Sequence, residues 1–326
     1  RERQRSMDSE LLKQAAQRFA DADRILVTSH VRPDGDAVSS VLALGLALKE
    51  RGKDVQIVLV DGVSADGKHL PGADQVVRRA KPPVDLVVSL DAADRERTGE
   101  SLREFPTVDI NIDHHITNTR FAAINLVDPA AVSTTAMLAD YFPAFGLDFS
   151  PAVVDAMLNG MLTDTIGFRT SNMNAKALRI AADLVEKGAD LSALYERALL
   201  RRSFAAMRYW GMGLSKLQRD GDLIWTSLTL ADRVTAGYPN NDDAELVNNL
   251  SAVEGALITI LFVEQADKQV KISWRSQGGR DVSQLAAQFG GGGHEAAAGA
   301  VLNGTLEVVQ QKVLRSALSY LQAVPA

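Results

Sequence analysis

The chain has 326 residues, enough for two domains of ordinary size, each with a substantial core. Its hydrophobic content of 46% and charged content of 23% are those of a globular protein, while a net charge of −6 argues against coating long duplex DNA or a membrane. With no cysteine, disulfides, thiolate zinc sites and cysteine nucleophiles are excluded.

Residues 1–24 are charged and lack the apolar core of a signal peptide. The longest apolar run, residues 41–48, is too short to span a bilayer, so the expectation is a cytoplasmic protein with no membrane partner. The residues before Met7 are set aside from the fold. Residues 9–21 space Leu11, Leu12, Ala15, Ala16 and Phe19 as a helix does. Ile25-Leu26-Val27 reads as a short apolar strand, residues 38–49 as a helix, and residues 55–60, 85–90 and 108–112 as further buried strands. Short apolar strands alternating with helices predict βαβ units and a mostly parallel sheet, whose ligands bind beyond the carboxyl ends of the strands. At those ends stand His30, Asp34 and Asp36, then Asp91, then Asp113, His114 and His115.

Helices are expected to dominate residues 133–212. Ser133-Thr134-Thr135 caps one over residues 136–141, and Ser150-Pro151 opens another with proline at the first helical position. That second helix is apolar through Leu158, Met161 and Leu162 and ends on Thr163-Asp164-Thr165, an aspartate in need of a partner. From Leu214 the pattern changes to strands over residues 223–230, 256–264 and 269–275. A helical segment (282–289), the run Gly290-Gly291-Gly292-Gly293-His294 and a last helix (306–321) follow. The expected fold class is α/β with two domains. Residues 8–190 form the parallel-sheet domain with flanking helices, 191–213 a helical linker and 214–324 a smaller α/β substrate-binding domain, with the active site in the cleft between them.

Each polar cluster has a plain structural reading. His30-x-x-x-Asp34-x-Asp36 suits a strand-to-helix loop with Asp36 as helix N-cap, Asp91 a solvated loop acid, Asp164 a helix-surface residue and His69 a surface loop. A calcium loop of EF-hand type lacks its third acid and terminal Glu. Adjacent histidines point to opposite sides of an extended chain, so only one of His114 and His115 is expected to face a given ion. Joint placement decides the matter, since three of the five histidines fall on this one rim. His30, Asp34, Asp36, Asp91, His115 and Asp164 offer more donors than one ion needs and suit two ions bridged by Asp91. Mixed oxygen and nitrogen donors favour Mn²⁺, with Co²⁺, Fe²⁺ or Zn²⁺ as alternatives and Mg²⁺ a poorer match to imidazole. Two ions about 3.5–4 Å apart can activate a hydroxide and clamp an in-line phosphoryl displacement, so metal-assisted phosphoester hydrolysis is the expected chemistry.

In the second domain the glycine run reads either as a linker or as a nest of backbone N–H groups for an anion, with His294 an added donor. Arg275 could supply a guanidinium for a phosphate and Trp274 an aromatic face for a base.

These motifs together resemble the DHH phosphoesterase superfamily: His30-x-x-x-Asp34-x-Asp36, Asp91, Asp113-His114-His115, Thr163-Asp164-Thr165, and the Gly-Gly-Gly-His-x-x-Ala-Ala-Gly pattern of residues 291–299. Order, spacing and length are most similar to its NrnA-like branch. The resemblance implies one Mn²⁺ on His30, Asp34 and Asp91 and a second on Asp36, Asp91, His115 and Asp164. It places His114 near the scissile phosphate and Asp113 as the orienter of the histidines, with Asp91, Asp113 and His114 the catalytic set. It gives Arg275, Ser276, Gly291, Gly292, Gly293 and His294 the grip on the nucleotide. It further implies short single-stranded RNA, dinucleotides such as pApA, and pAp as substrates, and a homodimer as the assembly. The alternatives are a RecJ-like single-strand DNA exonuclease and a non-catalytic nucleotide sensor. Ser39 departs from the glycine of many relatives and is expected to affect packing.

Overall fold

Strand β1 (Arg24–Thr28) is exposed at its first residue and buried at the next four. Its side chains alternate between two apolar layers, Ile25 and Val27 in one and Leu26 in the other. Cover on both faces is what makes such a strand continuously apolar. With β2 (Asp54–Val58), β3 (Leu86–Leu90), β4 (Ile110–Asp113) and β5 (Ile124–Val127) it forms an all-parallel sheet in the order β2-β1-β3-β4-β5. The computed structural model describes residues 2–64 and 67–323.

The larger apolar layer joins the sheet to helices α1 (Glu2–Asp21), α2 (Gly35–Glu50), α3 (Thr134–Phe145), α4 (Pro151–Asp164) and α5 (Ala175–Glu186). The opposite layer is smaller, and irregular chain carrying Ala80 and Val108, with a short 3-10 segment ending at Leu102, closes it instead of α-helices. Strand β5 escaped the sequence reading because Asn125 interrupts its apolar run and its burial alternates. Ser133 caps α3, its Oγ accepting from Ala136 N at 3.0 Å, and Pro151 opens α4. The cap of α2 is Asp34, not Asp36. Asp34 Oδ1 accepts from Ala37 N at 3.0 Å, so Asp36 lies inside the first turn.

Helices α2 and α4 meet through small residues. A Cβ on Gly160 would come within 2.6 Å of Asp36 Oδ1, and one on Gly35 within 2.4 Å of Thr163 Oγ1. Across the same contact Asn159 Nδ2 donates to Ser39 Oγ at 2.9 Å, with both side chains buried. The serine at position 39 thus serves helix packing. His69 is not a surface residue either. It is half-buried, and burial and Arg197 hold its pKa below the usual value against a hydrogen bond with Asn159.

The chain divides into two units, Arg1–Arg201 and Arg202–Ala326. After α6 (Leu191–Tyr195) in the first unit, the second opens with α7 (Phe204–Leu214). Its strands are β6 (Gln218–Asp220), β7 (Leu223–Leu228), β8 (Ile258–Gln265), β9 (Gln269–Ser276), β10 (Gly292–His294) and β11 (Ala297–Asn303). They pair in the order β10-β11-β9-β8-β7-β6, and only β7 and β8 run parallel. Helices α8 (Leu230–Ala236), α9 (Leu246–Leu250), α10 (Val282–Ala287) and α11 (Leu306–Ala323) complete it. No helix among the described residues is long and apolar enough to cross a membrane.

The close α2–α4 contact yields a prediction. Gly160→Ala is expected to destabilise the protein by about 1–3 kcal/mol through overpacking. Urea denaturation measures it, and an unchanged midpoint would show that the helices can move apart freely.

Candidate active site

The rim is assembled by strand ends. His30 follows β1, Asp91 follows β3, Asp113 ends β4, and Asp164 ends α4. Asp91 is 2% exposed and sits at φ 54°, a left-handed conformation that aspartate tolerates at a cost. Three trios of donor atoms lie within 4.8 Å of one another: His30, Asp34 and Asp91; Asp91, His114 and His115; and Asp36, His114 and Asp164. Asp91 therefore belongs to two trios, as a bridging carboxylate should.

Both histidines of the triplet turn toward Asp91, against the expectation of opposite sides. His114 Nε2 lies 3.6 Å and His115 Nδ1 3.7 Å from Asp91 Oδ1. The alternation rule fails because β4 stops at Asp113 and the histidines occupy the turn beyond it. His114 Nε2 is also 3.5 Å from Asp164 Oδ2, so the structure brings His114, rather than His115, to Asp36 and Asp164.

Hydrogen bonds fix which ring nitrogen each histidine presents. His30 Nδ1 donates to Val31 O at 2.9 Å, leaving Nε2 toward Asp34 and Asp91, each at 3.8 Å. His114 Nδ1 lies 3.4 Å from Ala131 O, which likewise leaves Nε2 as the bare donor atom. His115 differs, since its Nδ1 is spent on Asp113 Oδ1 at 2.7 Å. Asp113 is fully buried and accepts from Asn118 Nδ2 at 2.6 Å, and Asn118 also donates to Asn111 Oδ1 at 2.8 Å. Carbonyl- or carboxylate-anchored imidazoles of this kind are the usual support around metal ligands.

The carboxylates are held from the start of α3. Thr134 N donates to Asp36 Oδ2 at 2.7 Å, Thr135 Oγ1 to Asp36 Oδ1 at 2.6 Å, and Thr134 Oγ1 to Asp91 Oδ1 at 2.9 Å. Thr134, Thr135 and Asn118 were not singled out from the sequence as site residues. The hydroxyl pair was legible only as a helix cap, and Asn118 only as a neighbour of the triplet.

Without cations this arrangement is electrostatically unfavourable. Burial, with Asp91 and Asp164 beside it, pushes the Asp36 carboxyl well up, and Thr135 only partly opposes this. Burial, with Asp91 and Asp34, pushes Asp164 up to about 7, partly offset by His114. Burial also raises Asp91, but His30, His114 and His115 outweigh it and hold Asp91 below the usual range. The hydrogen bond to Asp113 pushes His115 up to about 9. Clustered buried carboxylates beside imidazoles with bared Nε2 atoms are a donor set for divalent cations, and the residues fit such ions.

In the second unit the structure corrects three expectations. Trp274 offers no face to a base, being fully buried and stacked on Phe289 with centroids 6.2 Å apart. The glycine run is no open nest: Gly292, Gly293 and His294 form β10, an edge strand whose partners are Gly299, Ala298 and Ala297. A Cβ on Gly293 would stand 2.4 Å from Ala297 O, which explains glycine there. Ser276 Oγ is engaged internally, 2.5 Å from Arg280 O and 3.0 Å from Glu295 O. His294 is exposed, and Arg275 is half-buried on β9 with its Nε and Nη2 both 3.1 Å from Asn248 Oδ1.

Residues 24–161 match the N-terminal domain of the DHH family, and residues 229–323 match the DHHA1 domain. The bifunctional oligoribonuclease and PAP phosphatase NrnA of Thermus thermophilus is 35% identical over 301 residues, 90% of this chain and 88% of that protein. The chain belongs to the DHH family. NrnA of Bacillus subtilis is 25% identical over 85% of this chain and 89% of its own length. An exopolyphosphatase-related protein of Bacteroides fragilis superposes with a TM-score of 0.87 at 26% identity, covering 96% of both chains. A manganese-bound RecJ exonuclease shares the fold, with a TM-score of 0.53 at 16% identity over 96% of this chain and 95% of its own. The chain is an NrnA-like, metal-dependent phosphoesterase, its six sequence-predicted donor residues gathered with His114 in three overlapping trios, two of which contain Asp91.

The raised carboxyls set a pH dependence. Asp164 in the folded, metal-free protein holds its proton up to about 7 against an ordinary 3.8. The native state then binds more protons than the unfolded one across that window, so this group lowers stability as pH rises through it. Cations that bind the ionised form remove the deficit. Adding Mn²⁺ to metal-stripped protein is expected to raise the melting temperature more at pH 8 than at pH 5.5. Equal gains at both would contradict the cation reading of Asp36 and Asp164.

Proposed function

We propose that this chain hydrolyses very short oligoribonucleotides and dinucleotides such as pApA to mononucleotides, and also removes a phosphate from pAp. Mn²⁺ is the metal in this reading. The observation that carries it is Asp91, one buried carboxylate shared by two donor trios. The names of the Thermus thermophilus and Bacillus subtilis relatives support the substrate class. Mixed carboxylate and imidazole donors support the metal. Cytoplasmic residence accords with the cysteine-free composition. A homodimer is proposed as the assembly, with exposed Phe204, Met207 and Leu214 on α7 as apolar surface for it to cover.

One ion would be held by His30, Asp34 and Asp91, and the other by Asp36, Asp91, His114 and Asp164. This exchanges the roles of His114 and His115 relative to the sequence expectation, because His114 bares Nε2 beside Asp164 whereas His115 spends Nδ1 on Asp113. The ions supply Lewis-acid polarisation of phosphoryl oxygens and a more acidic water. The residues do the rest. Asp113, fixed by Asn118, holds the His115 ring, and His115 carries a proton on Nε2 for the leaving oxygen. Thr134 and Thr135 keep Asp36 and Asp91 aimed at one place. In the second unit Arg275, His294 and the exposed edge of the strand formed by Gly292 and Gly293 hold the nucleotide, while Gly291 N is already given to Ala286 O. Ser276 contributes by tying the β9–β11 region together.

The test is hydrolysis by metal-stripped protein resupplied with Mn²⁺, across 5′-labelled RNAs from dinucleotides to about twenty nucleotides, with pAp and cyclic di-AMP alongside. Strong preference for two to four nucleotides is expected. Activity that holds or rises on long strands would instead identify a RecJ-like exonuclease, and tight binding without turnover a nucleotide sensor. Asp91→Asn, which suits φ 54° better than alanine, should keep the fold. It should lower kcat on the order of a thousandfold, the several kcal/mol of a metal-assisted step. A near-wild-type kcat would refute the shared-ligand assignment.

A further inference from the structure

The guanidinium of Arg275 is half-buried and held by neutral oxygens alone. Its Nε and Nη2 both donate to one neutral oxygen, Asn248 Oδ1 on α9, at 3.1 Å each, and its Nη1 donates to Trp274 O at 2.9 Å. It forms no ion pair among the described residues, although Asp243 is near enough to favour its charge slightly. Burial lowers its pKa, which measures the cost of keeping this charge out of water. A carboxylate in place of that amide would cancel the charge instead of leaving it available.

Donor counting shows what remains. Arginine has five N–H bonds. Asn248 occupies the side-on edge formed by Nε and Nη2, and Trp274 O takes one hydrogen of Nη1. The two hydrogens left are one on each terminal nitrogen, donors that an anion such as a phosphate can take. Asn248 itself is fixed by its place on α9, whose start is tied down by Val247 N donating to Asp243 Oδ2 at 3.2 Å.

We propose that Asn248 is a positioning residue that locks the side-on edge of Arg275 without neutralising it, reserving the two remaining N–H donors and their charge for a phosphate group of the nucleotide substrate. This rests on the reading of the second unit as nucleotide holder. The choice of an amide over an acid is the device: asparagine and aspartate are nearly the same shape and accept the same two hydrogen bonds. Aspartate would turn the site into an internal ion pair. Asparagine leaves the positive charge for the ligand.

The experiment is a double-mutant cycle on the Mn²⁺-supplied full chain, with pApA as substrate and kcat and KM determined separately. Asn248→Asp is expected to raise KM about tenfold or more, the size of one charge-assisted contact, with kcat little changed and the melting temperature unchanged or higher. Asn248→Ala, which removes the anchor and adds no charge, should raise KM less. Arg275→Ala should raise KM at least as much as Asn248→Asp. The double variant Asn248→Asp with Arg275→Ala should be no worse than Arg275→Ala alone, because both act through one guanidinium. Additive losses, or a wild-type KM in Asn248→Asp, would overturn the role of Asn248. If Arg275→Ala itself keeps the wild-type KM, the nucleotide-holding reading of the second unit falls instead.

Discussion

Mutual repulsion among Asp36, Asp91 and Asp164 is the constraint on which the first unit depends. The three carboxylates sit close together and largely out of water, and two of them titrate far above their ordinary range because of it. Nothing in an apolar core calls for this. The surrounding fold nevertheless enforces it. A left-handed residue at Asp91, a strain of order 1–3 kcal/mol, aims its carboxylate inward. The glycine at position 160 lets α4 approach α2 until it meets the Asp36 side chain. A protein that gives up stability at one rim recovers it when the rim binds what it was shaped for, and for clustered carboxylates and imidazoles that is divalent cations.

The same rim shows why neighbouring residues take different tasks. His114 and His115 are adjacent, similarly placed and chemically identical, and their anchors separate them. A backbone carbonyl opposite Nδ1 leaves Nε2 as the nitrogen His114 presents to the rim. A buried carboxylate opposite Nδ1 makes His115 a cation that keeps its proton. On the proposed reading one ring holds a metal and the other hands over a proton. Asn118, by fixing Asp113, decides the second outcome from outside the triplet.

Most of the first unit was legible in the sequence because parallel strands buried on both faces leave short apolar runs, and because ligands collect where such runs end. His30, Asp34, Asp36 and Asp91 could be brought to one rim on that ground alone, and Asp164 joined them only as an aspartate in need of a partner at the end of an apolar helix. The reading failed where side-chain direction depended on local termination. The histidine pair was judged by strand alternation although the strand had already stopped, and Asp36 was taken for the cap that Asp34 provides. In the second unit glycine composition suggested a nest, whereas the run pairs as an edge strand against the small residues that follow. Trp274 looked available because an aromatic in an alternating strand can face either way, and here it faces the core. Contacts between distant segments, such as Asn248 with Arg275 or Thr134 with Asp91, leave no periodic trace in a sequence.

The two units solve opposite electrostatic problems. The first gathers negative charge that repels a phosphate until cations invert it. The second keeps a guanidinium partly buried and unpaired, attractive to a phosphate from the outset. A net charge of −6 gives little overall drive toward a long polyanion. Binding then rests on a few discrete phosphate contacts rather than on counterion release along a strand. On the proposed reading such contacts saturate after the first few phosphates, so extra nucleotides add little attraction. A preference for the shortest substrates would then be an electrostatic property of the proposed nucleotide holder, with no steric stop needed.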